Sequence, residues 1–155
     1  MIDIPSSTTT LMVRNIPTRF SSITLLETLK DYGFEGLFDF FYLPMDFKTE
    51  KNCGYCFINF LIHETCKEFA NIFQGIQLKA STSHKCIDIV VSKRQGLYDN
   101  IAVFADSDML TCKFRRDDFK PMIMRNGEMV PLNESIFNKL FHFHKEITAL
   151  QRITV

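Results

Sequence analysis

Apolar residues recur along the first 95 positions at two spacings, one typical of strands and one typical of helices. Runs rich in aromatic and β-branched residues predict four strands, over residues 9–16, 37–43, 53–60 and 86–92. Apolar positions at helical spacing predict a helix that begins after Ser21 or Ser22 and ends at Gly33. A second predicted helix covers residues 64–73 and ends at Gly75. The order β-α-β-β-α-β predicts an α+β, ferredoxin-like fold.

The chain continues beyond this pattern with a C-terminal extension. Residues 95–105 have the pattern of a third helix, and Asn126-Gly127, a strong hairpin-turn signal, lies between two short apolar runs. Asn133 can cap a final helix that ends near Arg152. We therefore expect a disordered leader (1–8), a folded domain (9–95), an extension that packs on it (96–132) and an amphipathic helix (133–155).

The composition is that of a folded domain without a strong overall charge. Hydrophobic residues make up 46% of the chain and include 16 Phe, which is ample for a core and argues against disorder. The 18 basic and 18 acidic residues cancel, so nucleic-acid binding must rely on a local basic patch and on stacking. No apolar stretch approaches the roughly 20 residues of a membrane span, so we expect no membrane partner.

The third predicted strand carries the most informative motif. Residues 53–60, CGYCFINF, fit the RNA recognition octamer (Lys/Arg)-Gly-(Phe/Tyr)-(Gly/Ala)-Phe-Val-x-(Phe/Tyr), although Cys53 replaces the basic first residue. Residues 11–16, LMVRNI, resemble the companion hexamer, with Met12 in place of its aromatic residue. This pair of motifs predicts a single-stranded RNA-binding module.

Strand alternation then predicts which side chains would meet RNA. Side chains of a strand point alternately to the two faces of the sheet, so Cys56, Ile58 and Phe60 face the helices and their neighbours face outward. Exposed aromatic side chains suit unstacked bases, and Lys93 and Arg94 leave the fourth strand where they can meet phosphates. The predicted RNA-binding residues are Met12, Arg14, Phe40, Tyr42, Tyr55, Phe57, Asn59, Lys93 and Arg94. The alternative is that the C-terminal segment covers these aromatic residues.

Longer stretches point to a particular family. The chain resembles the C-terminal RNA recognition motif of the Mei-two-like meiotic regulators in residues 14–17 (RNIP), 42–47 (YLPMDF), Gln95-Gly96 and 119–123 (FKPMI). The resemblance covers about residues 9–124 and leaves the last helix without a counterpart. It implies RNA binding in the control of cell fate, often meiosis, by a domain that commonly sits at the end of a longer protein.

Sequence patterns for catalysis or metal binding are weak. Cys53 and Cys56 form a C-x-x-C, but in a strand they lie about 10 Å apart on opposite faces. A disulfide requires Cα atoms within about 7 Å. The odd number of Cys, five, with irregular spacing, is typical of reduced thiols in the nucleus or cytoplasm. His142 and His144 do not share a helix face. We predict a non-catalytic protein without cofactor or metal.

The final helix leaves a second function open. A heptad-like stripe runs through Ile136, Leu140, Phe143, Ile147 and Leu150. It either packs on its own domain or binds a second copy or a partner helix. The zero net charge, Met12 and Cys53 favour the alternative function, a protein-interaction module on the same fold that binds a peptide or a partner helix.

Overall fold

A computed structural model describes residues 2–78, 84–105 and 116–153, except for the side chains of residues 143–145, 152 and 153. The strands are β1 Thr10–Arg14, β2 Phe38–Tyr42, β3 Tyr55–Phe60, β4 Asp88–Val91, β5 Met122–Arg125 and β6 Glu128–Pro131. The helices are α1 Ser22–Asp31, α2 His63–Phe73, α3 Leu97–Ala102 and α4 Glu134–Ile153, with a 3₁₀ turn at Asp117–Phe119. The predicted β-α-β-β-α-β order, third helix, hairpin and last helix are therefore confirmed.

The strands form one antiparallel sheet in the order β4-β1-β3-β2-β5-β6. The sequence predicted the β5–β6 hairpin but not that it joins the sheet beside β2. Asn126 and Gly127 both have positive φ angles, 53° and 81°, as the two-residue turn of such a hairpin requires. The hairpin thus extends the four-stranded sheet to six strands.

The first helix begins and ends at the residues that the sequence indicated. The Ser21 hydroxyl accepts a hydrogen bond from the Thr24 amide (3.1 Å), and the Thr24 hydroxyl accepts one from the Ser21 amide (2.8 Å). This reciprocal cap satisfies two amides that would otherwise lack partners. Gly33 follows with a φ angle of 91°, a conformation that side-chain-bearing residues rarely adopt.

Helices α1 and α2 cover one face of the sheet and enclose the larger of two apolar cores. Alternation is as predicted, because the inward side chains of the central strands all belong to this core: Leu11, Val13, Phe41, Leu43, Cys56, Ile58 and Phe60. Phe69 and Phe73 of α2 stack there with ring centroids 4.4 Å apart. Each fully buried Phe or Leu stabilises the fold by roughly 1.5–3 kcal/mol.

A second, smaller core lies on the opposite face, where α3, β5 and α4 pack against β2. Its buried members are Phe40, Ile101, Phe104, Ile123, Leu132 and Phe137. The helix α4 begins where predicted, since the Asn133 side-chain oxygen accepts a hydrogen bond from the Ile136 amide (2.8 Å). The extension therefore packs on this face of the sheet.

The expectation of a disordered leader is wrong at Ile4 and Thr8. Ile4 is only 8% exposed and belongs to the larger core, and the carbonyl of Thr8 lies 2.8 Å from Nδ1 of His63. The apolar Ile4 side chain thus packs in the core although the surrounding segment is polar.

Within the described residues, no helix is both long enough and apolar enough to cross a bilayer.

Candidate nucleic-acid interface

One row of side chains crosses the open face of the sheet from β4 to β2. Met12 is paired with Phe57 on one side and Val90 on the other, and Phe57 is paired with Tyr42. All four side chains are partly exposed. Since neighbouring strands lie about 4.8 Å apart, this row is about 14 Å long. We call Val90, Met12, Phe57 and Tyr42 the exposed row.

A second pairing places Tyr55 next to Phe57. Tyr55 lies opposite Arg14, and the two rings, Tyr55 and Phe57, meet edge to face with centroids 5.7 Å apart. Arg14 forms an ion pair with Asp88, and its hydrogen bond to that carboxylate holds the pKa of Asp88 below the ordinary value of 3.8. Both side chains are largely exposed, so the pair is weak and Arg14 keeps access to solvent.

The exposed row forms the floor of a groove of about 580 Å³. Val103 and Phe104, at the end of α3, form one wall, and the Phe104 ring meets the Tyr42 ring edge to face at 5.2 Å. Lys93 and Arg94 line the same groove and are exposed. Within the described part of the chain, neither forms an ion pair. The groove therefore combines an apolar floor with unpaired positive charge.

Phe40 was expected to take part in stacking, and the structure corrects this. A β-bulge between Phe38 and Phe40 leaves Phe40 on the outward face, as predicted. There it is only 2% exposed, because it is buried among the side chains of the smaller core, including Ile101, Ile123 and Phe137. The C-terminal segment thus covers this aromatic residue but leaves Tyr42, Tyr55 and Phe57 accessible.

Asn59 also faces outward but is structural. It is 3% exposed, and its side-chain oxygen accepts hydrogen bonds from the Thr9 and Thr10 hydroxyls at 2.8 and 2.6 Å. Its amide donates to Asp39 at 2.8 Å. Burial raises the pKa of Asp39, and the hydrogen bond from Asn59 opposes that rise. At 3% exposure, the Asn59 side chain is not accessible to a base.

Gln95 and Asn100 were not among the predicted RNA-binding residues, but their hydrogen bonds hold the groove together. The Gln95 side-chain oxygen accepts hydrogen bonds from the Thr9 and Thr10 amides, both at 2.9 Å. Its amide donates to the Thr10 and Ser92 carbonyls at 2.9 and 2.8 Å. Asn100 of α3 is buried and donates to the Thr10 hydroxyl at 3.1 Å. These bonds fix Lys93, Arg94 and α3 beside β1.

The four cysteines that the structure describes are free thiols. Cys53 is exposed and lies two residues before β3, which begins at Tyr55 rather than at Cys53 as predicted, whereas Cys56 within β3 is buried. Burial raises the pKa of the Cys66 thiol to about 12 and that of Cys56 further. Among the residues that the structure describes, no three His, Cys, Asp or Glu side chains are grouped as metal ligands.

Comparison with known proteins assigns this architecture. Residues 8–105 match the profile of the family "RNA recognition motif 2". "Protein MEI2-like 5" of Oryza sativa subsp. japonica is 35% identical over 127 residues, which are 81% of this chain and 16% of that protein. "Protein MEI2-like 4" of Arabidopsis thaliana is 38% identical over 104 residues, or 67% of this chain and 11% of that protein. The chain thus spans less than a fifth of the length of these relatives.

A solved structure has the same fold. The chain is similar to "Structure of Rna15 RRM with bound RNA (GU)", with a TM-score of 0.50 and 18% identity. The match covers 66% of this chain and 99% of the other. The family match runs from residue 8 to residue 105 and therefore includes α3.

Proposed function

Since the chain belongs to the RNA recognition motif 2 family, we propose that it is a non-catalytic module that binds short single-stranded RNA in the groove over the exposed row. One observation carries the proposal: Met12, Phe57 and Tyr42 remain accessible beneath an α3 wall while Lys93 and Arg94 flank them. Aromatic rings stack with the π-faces of unpaired bases, and the flanking cations attract phosphates. In duplex RNA the bases are already paired and stacked, so single strands are preferred.

The covered part of the sheet limits the number of bases. Phe40 is only 2% exposed, so among the sheet residues that the structure describes the accessible aromatic side chains of this face are Tyr42, Tyr55 and Phe57. RNA recognition motifs stack two or three bases on such residues, and we propose roughly two here. Met12, in place of an aromatic residue, offers an adaptable apolar contact to the base that lies between β1 and β3.

At the scale of the cell, we propose a role in post-transcriptional regulation, in meiosis or differentiation, within the nucleus or cytoplasm. The likeness to the MEI2-like proteins supports this role. The free thiols of Cys53 and Cys86 are compatible with a reducing compartment.

A titration separates stacking from charge-driven binding. A labelled random ten-nucleotide single strand and a duplex of the same length are titrated with the protein at several salt concentrations. Single-strand affinity falls with salt at a slope of about −0.7 for each phosphate neutralised. Two or three phosphate contacts, from among Lys93, Arg94 and Arg14, then give a slope of roughly −1.4 to −2.1. A slope steeper than about −5, or equal affinity for the duplex, would show that the exposed row is not the binding surface.

The final helix supports a second candidate function, a protein-interaction module. Ile136 and Leu140 of the predicted stripe pack against the smaller core, and the Phe143 side chain lies outside the described residues. Ile147 and Leu150 are 37% and 62% exposed. As the alternative to RNA binding, we propose that the C-terminal half of α4, which carries Ile147 and Leu150, binds a second copy or a partner helix. Sedimentation of the chain and of its Ile147→Glu/Leu150→Glu variant over a concentration series tests self-association. Equal masses for both would contradict a homodimer through α4.

A further inference from the structure

The sheet extends beyond the two helices that cover its larger core. In β5, side chains alternate, so Ile123 joins the smaller core while Met122 and Met124 face the side of α1. Met129 of β6 is paired next to Met124. A groove of about 340 Å³ lies between α1 and this hairpin. We call it the methionine groove, lined by Ile23, Leu26, Met122, Met124 and Met129.

The groove exposes apolar side chains on both of its walls. Ile23, on α1, is 53% exposed, and Leu26, Met124 and Met129 are partly exposed. Contiguous apolar side chains on a surface mark interaction sites more often than scattered ones do. Methionine side chains are flexible and polarisable, and they are over-represented on surfaces that adapt to peptide partners.

The charges at the edges of the groove indicate what would occupy it. Glu27 on α1 and Glu128 on the hairpin line the groove from its two sides, and both are exposed. Within the described ranges neither forms an ion pair, whereas Lys30 and Glu35, which also line the groove, pair with each other at 3.7 Å and leave a net excess of two carboxylates. Arg125 faces Glu128 across the hairpin turn but does not line the groove. Two carboxylates repel phosphate, so this surface does not extend the RNA site.

We propose that the methionine groove docks a short, basic, amphipathic peptide segment of a partner protein. The segment inserts two or three apolar side chains between α1 and the hairpin, and its Lys or Arg side chains pair with Glu27 and Glu128. Helices and extended segments bind in such grooves through apolar anchors with flanking charges. This proposal is independent of RNA binding, which uses the other face of the sheet.

Methionine methyl groups permit a direct test on the full chain. The protein is labelled with ¹³C at its methionine methyls and titrated with a twelve-residue Leu/Lys peptide of amphipathic helical pattern. We expect shifts at Met122, Met124 and Met129, with Met12, on the other face, unchanged. Two control peptides replace every Lys by Glu or every Leu by Ser, and neither should shift the groove methyls.

Charge-reversal variants give the matched comparison. Glu27→Lys/Glu128→Lys should weaken peptide binding about tenfold, since two exposed ion pairs are replaced by repulsion between like charges. Glu64→Lys, an exposed change on α2, should not alter it. If the charge-reversed variant unfolds, Glu27→Gln/Glu128→Gln removes the two charges without reversing them. Shifts at Met12 alone, or equal binding by the Glu peptide or by the charge variants, would overturn the proposal. Groove methyl shifts that follow protein concentration without peptide would assign the groove to a second copy and overturn it as well.

Discussion

Phe57 lies at the centre of the exposed row, between Met12 and Tyr42, and touches the Tyr55 ring. We predict that Phe57→Ala weakens single-stranded RNA binding by about 1–3 kcal/mol, because each base stacked on an aromatic ring contributes that amount. Fluorescence anisotropy with a labelled oligonucleotide measures the change. Ile72→Ala, at an exposed position on α2, is the control and should bind like the parent chain. A folded Phe57→Ala protein with undiminished affinity would remove the stacking mechanism.

Burial of the ionised Asp39 carboxylate lowers the free energy of unfolding. Its pKa is raised from 3.8 by burial, so the folded state holds a proton more tightly than the unfolded chain does. The free energy of unfolding therefore falls as pH rises from 3.8 through the folded pKa, and it stays at this lower level at neutral pH. Asp39→Asn keeps an oxygen for the Asn59 amide and should raise the free energy of unfolding at pH 7. Urea titrations should show this gain shrinking toward pH 4. A gain that does not change with pH would point to packing instead.

Residue spacing predicted the direction of the outward side chains of β1 and β3 and of Phe40 and Tyr42 in β2, but not their exposure. Phe40 and Phe57 both face outward by the same period of two, and both are Phe. What separates them is contact with Ile101, Ile123 and Phe137, which lie far along the chain. Strand periodicity carries no information about such contacts. Whether the C-terminal segment covers the aromatic side chains therefore could not be predicted from the sequence. Gln95 was missed for a related reason, since its role depends on bonds to β1.

At the scale of elements, the Gln95 side chain is a main link between β1 and the segment after β4. Gln95→Ala removes four hydrogen bonds and leaves the Thr9 and Thr10 amides without this acceptor. We expect a loss of about 1–3 kcal/mol in the free energy of unfolding. Hydrogen exchange should accelerate at Thr9 and Thr10 and in α3, but not in α2. Gln95→Glu retains the acceptor and should preserve protection of the two amides better than Ala does. Uniformly faster exchange would indicate a global effect instead.

The helix α4 has an inner and an outer half. Leu140 packs against the smaller core, whereas Leu150 is largely exposed, although both belong to one heptad-like stripe. Leu140→Ala should lower the free energy of unfolding by roughly 1–3 kcal/mol, somewhat less than a fully buried leucine would. Leu150→Ala should change it by less than about 0.5 kcal/mol. Chemical denaturation of the two variants makes the comparison, and equal losses would mean that the whole helix is packed.

At the scale of the whole molecule, the thiols report on global unfolding. Cys53 and Cys86 are exposed, while Cys56 and Cys66 are buried and their pKa values are raised by burial. Since the thiolate is the reactive form, iodoacetamide should modify Cys53 and Cys86 quickly in the native protein. Cys56 and Cys66 should react only as fast as the fold opens. Peptide mapping by mass spectrometry after timed pulses follows each site, with a sample in urea as the control. A Cys53–Cys56 disulfide, or equally fast reaction at Cys56, would contradict the strand register.

The double coverage of β2 has a consequence for how this protein can diverge. In an ordinary strand, one side tolerates polar replacement because water lies beyond it. Phe40 and Phe41 instead enter different cores on the two sides of β2. A substitution at position 40 therefore affects the packing of Phe137 in α4, which lies in the same core. A relative that lacked α4 would lose the Phe137 side of this core, so a less apolar residue at position 40 would be tolerated there.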